Sequence, residues 1–353
     1  MNETILTSRQ KLIINIVNEN RGIGRAEVEK KVKVFYPASK PTIARDLNGL
    51  IKKGSIKVKG SGRSTIYLPV SQNPLLNHYD LEQYFTLEPD QRKEAKKVFD
   101  FSVFSGLNGL LTPAEITEVE KQNKSFTKET SRLDRTILLK ELERFVIELS
   151  WKSSKIEGNT YSLLETETLV KEKVEAAGKT KAEAIMILNH KRAFESILNS
   201  REDYRNINPS KIRELHAVLI AGLSISPGIR EQAVGITGTV YKPLDNKWQI
   251  TEALEKMSDA INISRYPLEK ALIASSMISY IQPFSDGNKR TGRMLTNAIL
   301  LAHDFFPLSY RSVDEEEYKK ALILFYEQGS VYSLKEILIN QYKFALDTYF
   351  HTS

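Results

Sequence analysis

The sequence contains no cysteine among its 353 residues, which excludes disulfide bonds, thiol nucleophiles and cysteine-ligated zinc. It also lacks an uncharged apolar stretch long enough to cross a bilayer. The nearest candidate, residues 271–285, is too short and contains several polar side chains. Residues 1–4 lack the basic region and apolar run of a secretory signal peptide. We therefore expect a cytoplasmic protein without a membrane partner.

Positive charge is concentrated at the N-terminus. Residues 1–70 carry 14 Lys and Arg against 5 Asp and Glu, a net +9. The rest of the chain carries 37 basic and 39 acidic residues, a net −2, which together give the overall +7. This asymmetry predicts a nucleic-acid-binding module attached to a nearly neutral body.

The basic segment has the element order of a winged helix-turn-helix, predicted for residues 1–70. Helical periodicity predicts helices over Ser8–Glu19 and Arg25–Val32, and a third from Ser39 and Pro41 to Gly54. Two alternating segments, 55–59 and 64–68, flank a glycine-containing turn and predict a hairpin, the wing.

A winged helix places its third helix in the major groove and its wing beside the backbone. Lys40, Thr42, Arg45 and Asn48 lie off the apolar stripe of the third helix, and Arg63 lies on the wing. Arg and Asn are side-chain types that read base edges. We therefore predict that residues 1–70 bind double-stranded DNA. The alternative is a winged helix used for protein–protein docking.

The remaining chain is predicted to be nearly all α, with a linker and helical connector over residues 71–130 and one domain over 131–353. Helical periodicity predicts helices over residues 133–156, 180–198, 209–223, 251–263, 267–281, 289–303, 315–328 and 334–349. One β-branched, glycine-containing segment, Ala233–Pro243, predicts a hairpin. The expected fold class is thus mainly α, with a β-hairpin, preceded by a small α/β domain.

The most informative segment is residues 281–293, Ile-Gln-Pro-Phe-Ser-Asp-Gly-Asn-Lys-Arg-Thr-Gly-Arg. Pro283 ends one helix, and Gly287 lets the backbone approach a ligand closely. A new helix begins near Lys289, and its free N–H groups and positive dipole end favour an anion. Arg290 and Arg293 are three residues apart on that helix, and arginine suits phosphate because its planar fork donates two parallel hydrogen bonds. The segment predicts a phosphate-binding site.

This segment resembles the signature of the Fic (Fic/Doc) family, His-Pro-Phe-x-Asp/Glu-Gly-Asn-Gly-Arg-x-x-Arg. The matching positions are Pro283, Phe284, Asp286, Gly287, Asn288, Arg290 and Arg293. The resemblance implies that the loop and the following helix bind ATP with Mg²⁺ and transfer AMP to a Ser, Thr or Tyr hydroxyl of a target protein. It implies a nucleotide-binding set of Phe284, Ser285, Asp286, Gly287, Asn288, Lys289, Arg290 and Arg293. Within that set, Asp286 would hold Mg²⁺ and Arg293 the γ-phosphate.

Two further segments are similar to the family. Ser153, Glu157 and Gly158 match an inhibitory helix pattern, Ser/Thr-x-x-x-Glu-Gly/Asn, in which the glutamate pairs with the second arginine of the signature. The segment Ala233–Pro243 resembles the family's flap, where Ile236, Thr237 and Gly238 would hold the target backbone. His190 and His216 fall in core helices and are interpreted as structural.

Two positions depart from the signature. Gln282 occupies the position of the catalytic histidine, and a neutral amide cannot act as a base near pH 7. Lys289 replaces a glycine and resembles the Doc branch, which phosphorylates its targets, although Arg293 is retained.

Three functions follow as alternatives. The first is an autoinhibited protein adenylyltransferase whose activity is weak or lost because of Gln282. The second is a nucleotide-sensing, DNA-binding regulator without catalysis, and the third is a phosphotransferase or an enzyme that removes AMP. The expected partners are ATP or AMP, Mg²⁺, an unidentified target protein and DNA, with homodimerisation left open.

Overall fold

A computed structural model describes residues 6–20, 22–69, 73–92 and 94–350, apart from the side chains of Glu19 and Arg63. The chain forms two compact units. The first unit contains residues 1–88 and 329–333, and the second contains residues 89–328 and 334–353.

The first unit packs helices against a small antiparallel sheet in the order β1-β3-β2. Its elements are α1 (Ser8–Asn20), β1 (Ile23–Gly24), α2 (Arg25–Phe35), α3 (Lys40–Lys52), β2 (Ile56–Lys59), β3 (Ile66–Pro69) and α4 (Leu81–Tyr84). The apolar faces of the three long helices meet in one core, which includes Ile13, Val28 and Leu47. Val58 pairs with Tyr67 in the β2–β3 ladder.

The third helix begins as its sequence predicts. The Ser39 side chain accepts a hydrogen bond from the Thr42 backbone N–H, and Pro41 occupies the first turn. The two-residue β1 was not predicted, because a strand of that length has no measurable alternation.

The second unit is helical. Its elements are α5 (Pro113–Thr130), α6 (Arg135–Ile156), α7 (Leu163–Glu172), α8 (Lys181–Asn199), α9 (Pro209–Ile220), α10 (Lys247–Ile263), α11 (Pro267–Ile281), α12 (Asn288–Ala302), α13 (Glu315–Gln328) and α14 (Tyr332–Thr348), the last of which starts within the first unit. The predicted mainly α fold with a small α/β part is confirmed. Among the described residues, no helix combines the length and apolarity needed to span a bilayer.

Helices α11 and α12 form the centre of the second unit and position the candidate site between them. Residues 268–281 of α11 are all buried, which is consistent with apolar residues on several sides of this helix, and its few polar side chains are buried with them. A side chain at Gly292 of α12 would lie 3.3 Å from the Ser275 carbonyl oxygen, so glycine permits the close packing of the two helices.

The end of α6 is set by Gly158, whose φ of 94° is readily adopted only by glycine. Its backbone N–H donates to the Lys155 carbonyl, and the Asn159 N–H donates to the Ser154 carbonyl. This turn leaves Glu157 directly after the last residue of the helix, where its side chain contacts α12.

The predicted hairpin over Ala233–Pro243 does not form. This segment contains no strand pair and has a turn at Thr237 and Gly238. Lys242 forms a parallel bridge with Val98, and its N–H donates to the Lys97 carbonyl at 2.9 Å. One residue of the segment therefore pairs with a distant part of the chain, a contact that local sequence does not reveal.

Candidate nucleotide-binding site

The loop between α11 and α12 is closed by the side chain of Asn288. Its Nδ2 donates to the Phe284 carbonyl at 2.8 Å and to Gln282 Oε1 at 2.9 Å. Its Oδ1 accepts from the Phe284 N–H at 2.9 Å. Asn288 thus supplies hydrogen-bond partners to the backbone N–H and carbonyl of Phe284 and fixes the conformation of the loop.

Gln282 ends α11 in a left-handed conformation, with φ 50° and ψ 58°. Such a backbone costs roughly 1–2 kcal/mol for a residue other than glycine. Both ends of the Gln282 amide are engaged, because Nε2 donates to the Ser279 carbonyl at 2.7 Å and Oε1 accepts from Asn288. The side chain is 8% exposed and holds the loop, but it offers no basic group.

Phe284 stacks on His216 of α9, with ring centroids 3.6 Å apart and planes 5° from parallel. His216 Nε2 donates to the Asp286 carbonyl at 3.0 Å. Burial lowers the pKa of His216 to about 4, so its ring is neutral at physiological pH. His216 is fully buried, so its ring is not accessible to a hydroxyl group from solution.

Arg290 is 2% exposed, and its Nη2 lies 3.2 Å from Asp286 Oδ2. Burial lowers the pKa of this guanidinium, although it stays far above neutral pH. Nη1 is buried and makes no hydrogen bond to any residue that the structure describes. A buried charged donor without a partner is costly, so Nη1 indicates a place for an anionic ligand.

Arg293 is 1% exposed and reaches back to α6. Its Nε donates to Ser153 Oγ at 2.9 Å, and its Nη2 donates to the Ser153 carbonyl at 2.8 Å. Its Nη1 is also buried without a hydrogen bond among the described residues. The two arginines therefore present two unpartnered nitrogens at the start of one helix.

Glu157 lies against these cations. Its Oε1 is 2.9 Å from Arg293 Nη2, and its Oε2 is 3.7 Å from Lys289 Nζ. Burial opposes ionisation of this carboxyl, but Arg293, Lys289 and Arg290 outweigh it and hold its pKa below the usual 4.5. Glu157 is therefore ionised at neutral pH, and the ion pair is lost only when the pH falls through the lowered pKa.

These residues fit a nucleotide phosphate and a single hard cation. The described residues contain no cluster of three or more His, Cys, Asp or Glu that could bind a metal by itself. Asp286 has a side chain 66% exposed, and one carboxylate combined with phosphate oxygens is the usual ligand set of Mg²⁺. Ser285 and Asp286 are the exposed residues of the loop, whereas Gly287 and Asn288 are buried.

Arg230 connects the loop to the segment Ala233–Pro243, named the flap. Its Nε donates to the Gln282 carbonyl at 2.6 Å and its Nη1 to the Gln232 carbonyl at 2.6 Å, while Nη2 contacts the Leu244 carbonyl. The Arg230 N–H donates to the Pro283 carbonyl at 3.0 Å. Sequence reasoning missed this residue, since a single arginine outside a motif gives no local signal.

A buried ion pair holds the tip of the flap. Arg92 Nη1 lies 3.1 Å from Glu327 Oε1 and donates to the Gly238 carbonyl at 3.2 Å. Thr239 Oγ1 donates to Glu327 Oε1 at 2.6 Å. Ile236 is half-buried and Thr237 is exposed, so this turn is accessible to solvent.

The residues predicted to contact DNA lie in the first unit, on α3. Lys40, Arg45 and Asn48 are exposed, whereas Thr42 is half-buried and its hydroxyl lies 2.9 Å from Ser39 Oγ. The side chain of Arg63 lies outside the part of the chain that the structure describes.

The domain around the loop is similar to known proteins. Residues 206–300 match the model of the Fic/DOC family. "Protein adenylyltransferase Fic" of Nematostella vectensis is 30% identical over 186 residues, which are 49% of this chain and 41% of the relative. "Protein adenylyltransferase fic-1" of Caenorhabditis elegans is 25% identical over 174 residues, covering 47% and 34%. The chain thus matches less than half the length of these relatives.

Two solved structures share the fold. Fic-1 (residues 134–508) of C. elegans is 20% identical with a TM-score of 0.55, covering 66% of this chain and 69% of that chain. A Fic family protein of Desulfovibrio desulfuricans is 20% identical with a TM-score of 0.56, covering 67% and 74%. The match to the Fic/DOC family thus covers residues 206–300, and the two solved structures show a shared fold.

Proposed function

We propose that the second unit binds ATP and is built as a protein adenylyltransferase whose activity is restrained by Glu157 and weakened by Gln282. The observation that carries this proposal is the pair of buried nitrogens, Nη1 of Arg290 and of Arg293, which have no hydrogen bond among the described residues. The names of the similar curated proteins, which are protein adenylyltransferases, support ATP as the nucleotide.

The proposed roles follow from where each residue lies. Arg290 and the N-terminal N–H groups of α12 bind the α- and β-phosphates, and Arg293, deeper in the site, binds the γ-phosphate. Asp286 would hold Mg²⁺, which supplies positive charge to the phosphates. The flap, held by Arg230 and Arg92, positions the target backbone.

Glu157 restrains this site because its carboxylate pairs with the Arg293 guanidinium, which is proposed to bind the γ-phosphate. Glu157 Oε1 lies 2.9 Å from Nη2 of the same guanidinium whose Nη1 is proposed to receive the γ-phosphate. Lys289 adds a second cation to the same carboxylate at 3.7 Å. Like charges cannot share this place, so γ-phosphate binding requires Glu157 to move away.

Glu157→Gly is expected to raise the affinity for ATP by about 10-fold or more, since one charge-assisted hydrogen bond contributes about 1.5–3 kcal/mol. AMP has no γ-phosphate, so its affinity stays unchanged. Isothermal titration with ATP and AMP measures both. Glu167→Gln, which removes a surface carboxylate paired with Lys171, is the control and leaves both affinities as they are. Equal ATP affinity with and without Glu157 would contradict the restraint.

A second function, DNA binding by the first unit, is supported by the net charge of +9 over residues 1–70 and by the exposure of Lys40, Arg45 and Asn48 on α3. A chain with both functions would carry a nucleotide site and a DNA-binding module on one polypeptide.

The 353-residue chain is expected to bind duplex DNA with an affinity that falls steeply as salt rises, because phosphate contacts release counterions. Arg45→Ala weakens binding by about 1–3 kcal/mol if Arg45 contacts a base. Fluorescence anisotropy at several salt concentrations measures both effects, with Lys256→Ala on α10 as the control. Absence of binding at low salt would contradict DNA recognition and leave protein docking as the role of this unit.

A further inference from the structure

Three buried side chains connect helices α8, α6 and α12. They are His190, Ser153 and Arg293, each 1% exposed. Ser153 Oγ lies 2.8 Å from His190 Nε2 and 2.9 Å from Arg293 Nε. The Ser153 carbonyl accepts a second bond from Arg293 Nη2 at 2.8 Å. Ser153 is therefore the link between a neutral ring and a buried cation.

The direction of each hydrogen bond follows from the acceptors present. His190 Nδ1 lies 2.8 Å from the Met186 carbonyl, which can only accept, so Nδ1 carries the hydrogen. Burial lowers the pKa of His190 to about 3, so the ring is neutral and Nε2 has a lone pair. The Ser153 hydroxyl therefore donates to Nε2, and its oxygen accepts from Arg293.

This arrangement fixes the plane of the guanidinium. An arginine side chain has several rotatable bonds, and holding it in one conformation costs up to about 2 kcal/mol. Two bonds to one residue set the directions of Nε and Nη2, which leaves Nη1 without a bond among the described residues. An arginine oriented in advance loses less freedom when a ligand binds.

The hold on Arg293 does not depend on Glu157. The end of α6 is also tied to α13 by Lys152 Nζ, 2.9 Å from Glu315 Oε1. Removing the Glu157 carboxylate would therefore leave Ser153 in place.

We propose that His190 and Ser153 are positioning residues that orient Arg293 toward the γ-phosphate of a bound nucleotide. This inference rests on the proposed nucleotide site. The end of α6 would then have two opposite effects on ATP binding. Glu157 competes with the γ-phosphate for Arg293, and Ser153 orients Arg293 so that it can bind the γ-phosphate. Loss of the Glu157 side chain and loss of the Ser153 hydroxyl then change ATP binding in opposite directions.

The test uses the full chain carrying Glu157→Gly, with ATP, ADP and AMP binding measured by calorimetry. Ser153→Ala and His190→Asn are expected to weaken ATP binding by about 10-fold, equivalent to about 1.4 kcal/mol, and to leave ADP and AMP binding unchanged. Ser153→Thr keeps the hydroxyl and His190→Gln places a carbonyl oxygen near the position of Nε2, so both retain the affinity of the parent. Melting temperatures confirm that each variant is folded.

Two results would overturn the inference. Unchanged ATP affinity in Ser153→Ala would show that Arg293 needs no orientation. Equal losses for ATP, ADP and AMP would show a general structural role instead. A Glu157→Gly parent that binds no nucleotide would overturn the proposed function itself, so the two failures are distinguishable.

Discussion

Gln282→His combined with Glu157→Gly is expected to raise the rate of AMP transfer from ATP by about 10²–10⁴-fold over Glu157→Gly alone, the usual contribution of a positioned general base. We expect the loop to keep its shape in this variant, because Asn288 and Arg230 hold its backbone. A histidine at 282 can donate from Nδ1 to the Ser279 carbonyl, as the amide now does. Its Nε2 is then available to take the hydroxyl proton.

Incorporation of radiolabel into protein from α-³²P-ATP and, in parallel, from γ-³²P-ATP measures this effect. Gln282→Asn is the matched control, because it is also an amide without basicity and stays at the background rate. Label from the γ-phosphate alone would favour phosphotransfer, the alternative suggested by Lys289. Equal rates with glutamine and histidine at 282 would show that the base comes from elsewhere.

Arg290→Ala is expected to lower the affinity for ATP by about 10²-fold in the Glu157→Gly background. The physical reason is the loss of charge-assisted hydrogen bonds to phosphate, each worth about 1.5–3 kcal/mol. Arg290→Lys retains the charge but not the planar fork, so it gives an intermediate affinity. Calorimetric titration with ATP and AMP measures the change.

The effect of Arg290 should differ from that of Ser153 in its dependence on the nucleotide. Arg290 is proposed to bind the α- and β-phosphates, so AMP binding weakens together with ATP binding. Arg205→Ala, which removes an exposed arginine paired with Glu202, is the control and leaves both unchanged. Nucleotide binding that survives Arg290→Ala would place the phosphates elsewhere and contradict the proposed site.

The sequence predicted the loop best because its determinants are local. A proline that ends α11, a glycine with φ 80° before α12 and arginines three residues apart all act within a dozen residues. Most helix boundaries also agree within a few residues, for the same reason. The helix α7 was missed although Ser162 and Glu165 form a capping box at its start, because its apolar pattern is short.

Contacts between distant residues were not predictable from periodicity. The bond of Ser153 to Arg293 spans 140 residues, and only the family pattern drew attention to that helix. His190 and His216 were both interpreted as structural, yet one contacts Ser153 and the other stacks on Phe284. The hairpin prediction was wrong, since the segment contains no strand pair, and Lys242 bonds instead to Lys97, a partner that no local rule selects.

The bond from Arg230 to the carbonyl of Gln282 has a consequence for how this protein can change over time. A backbone oxygen is present whichever side chain occupies position 282, so this support of the loop is independent of the residue that would perform the chemistry. A single substitution there changes the side-chain bonds to Ser279 and Asn288 but leaves the Arg230 bond in place. Nucleotide binding and catalytic turnover can then be gained or lost separately. A lineage could keep nucleotide binding as a signal after losing turnover.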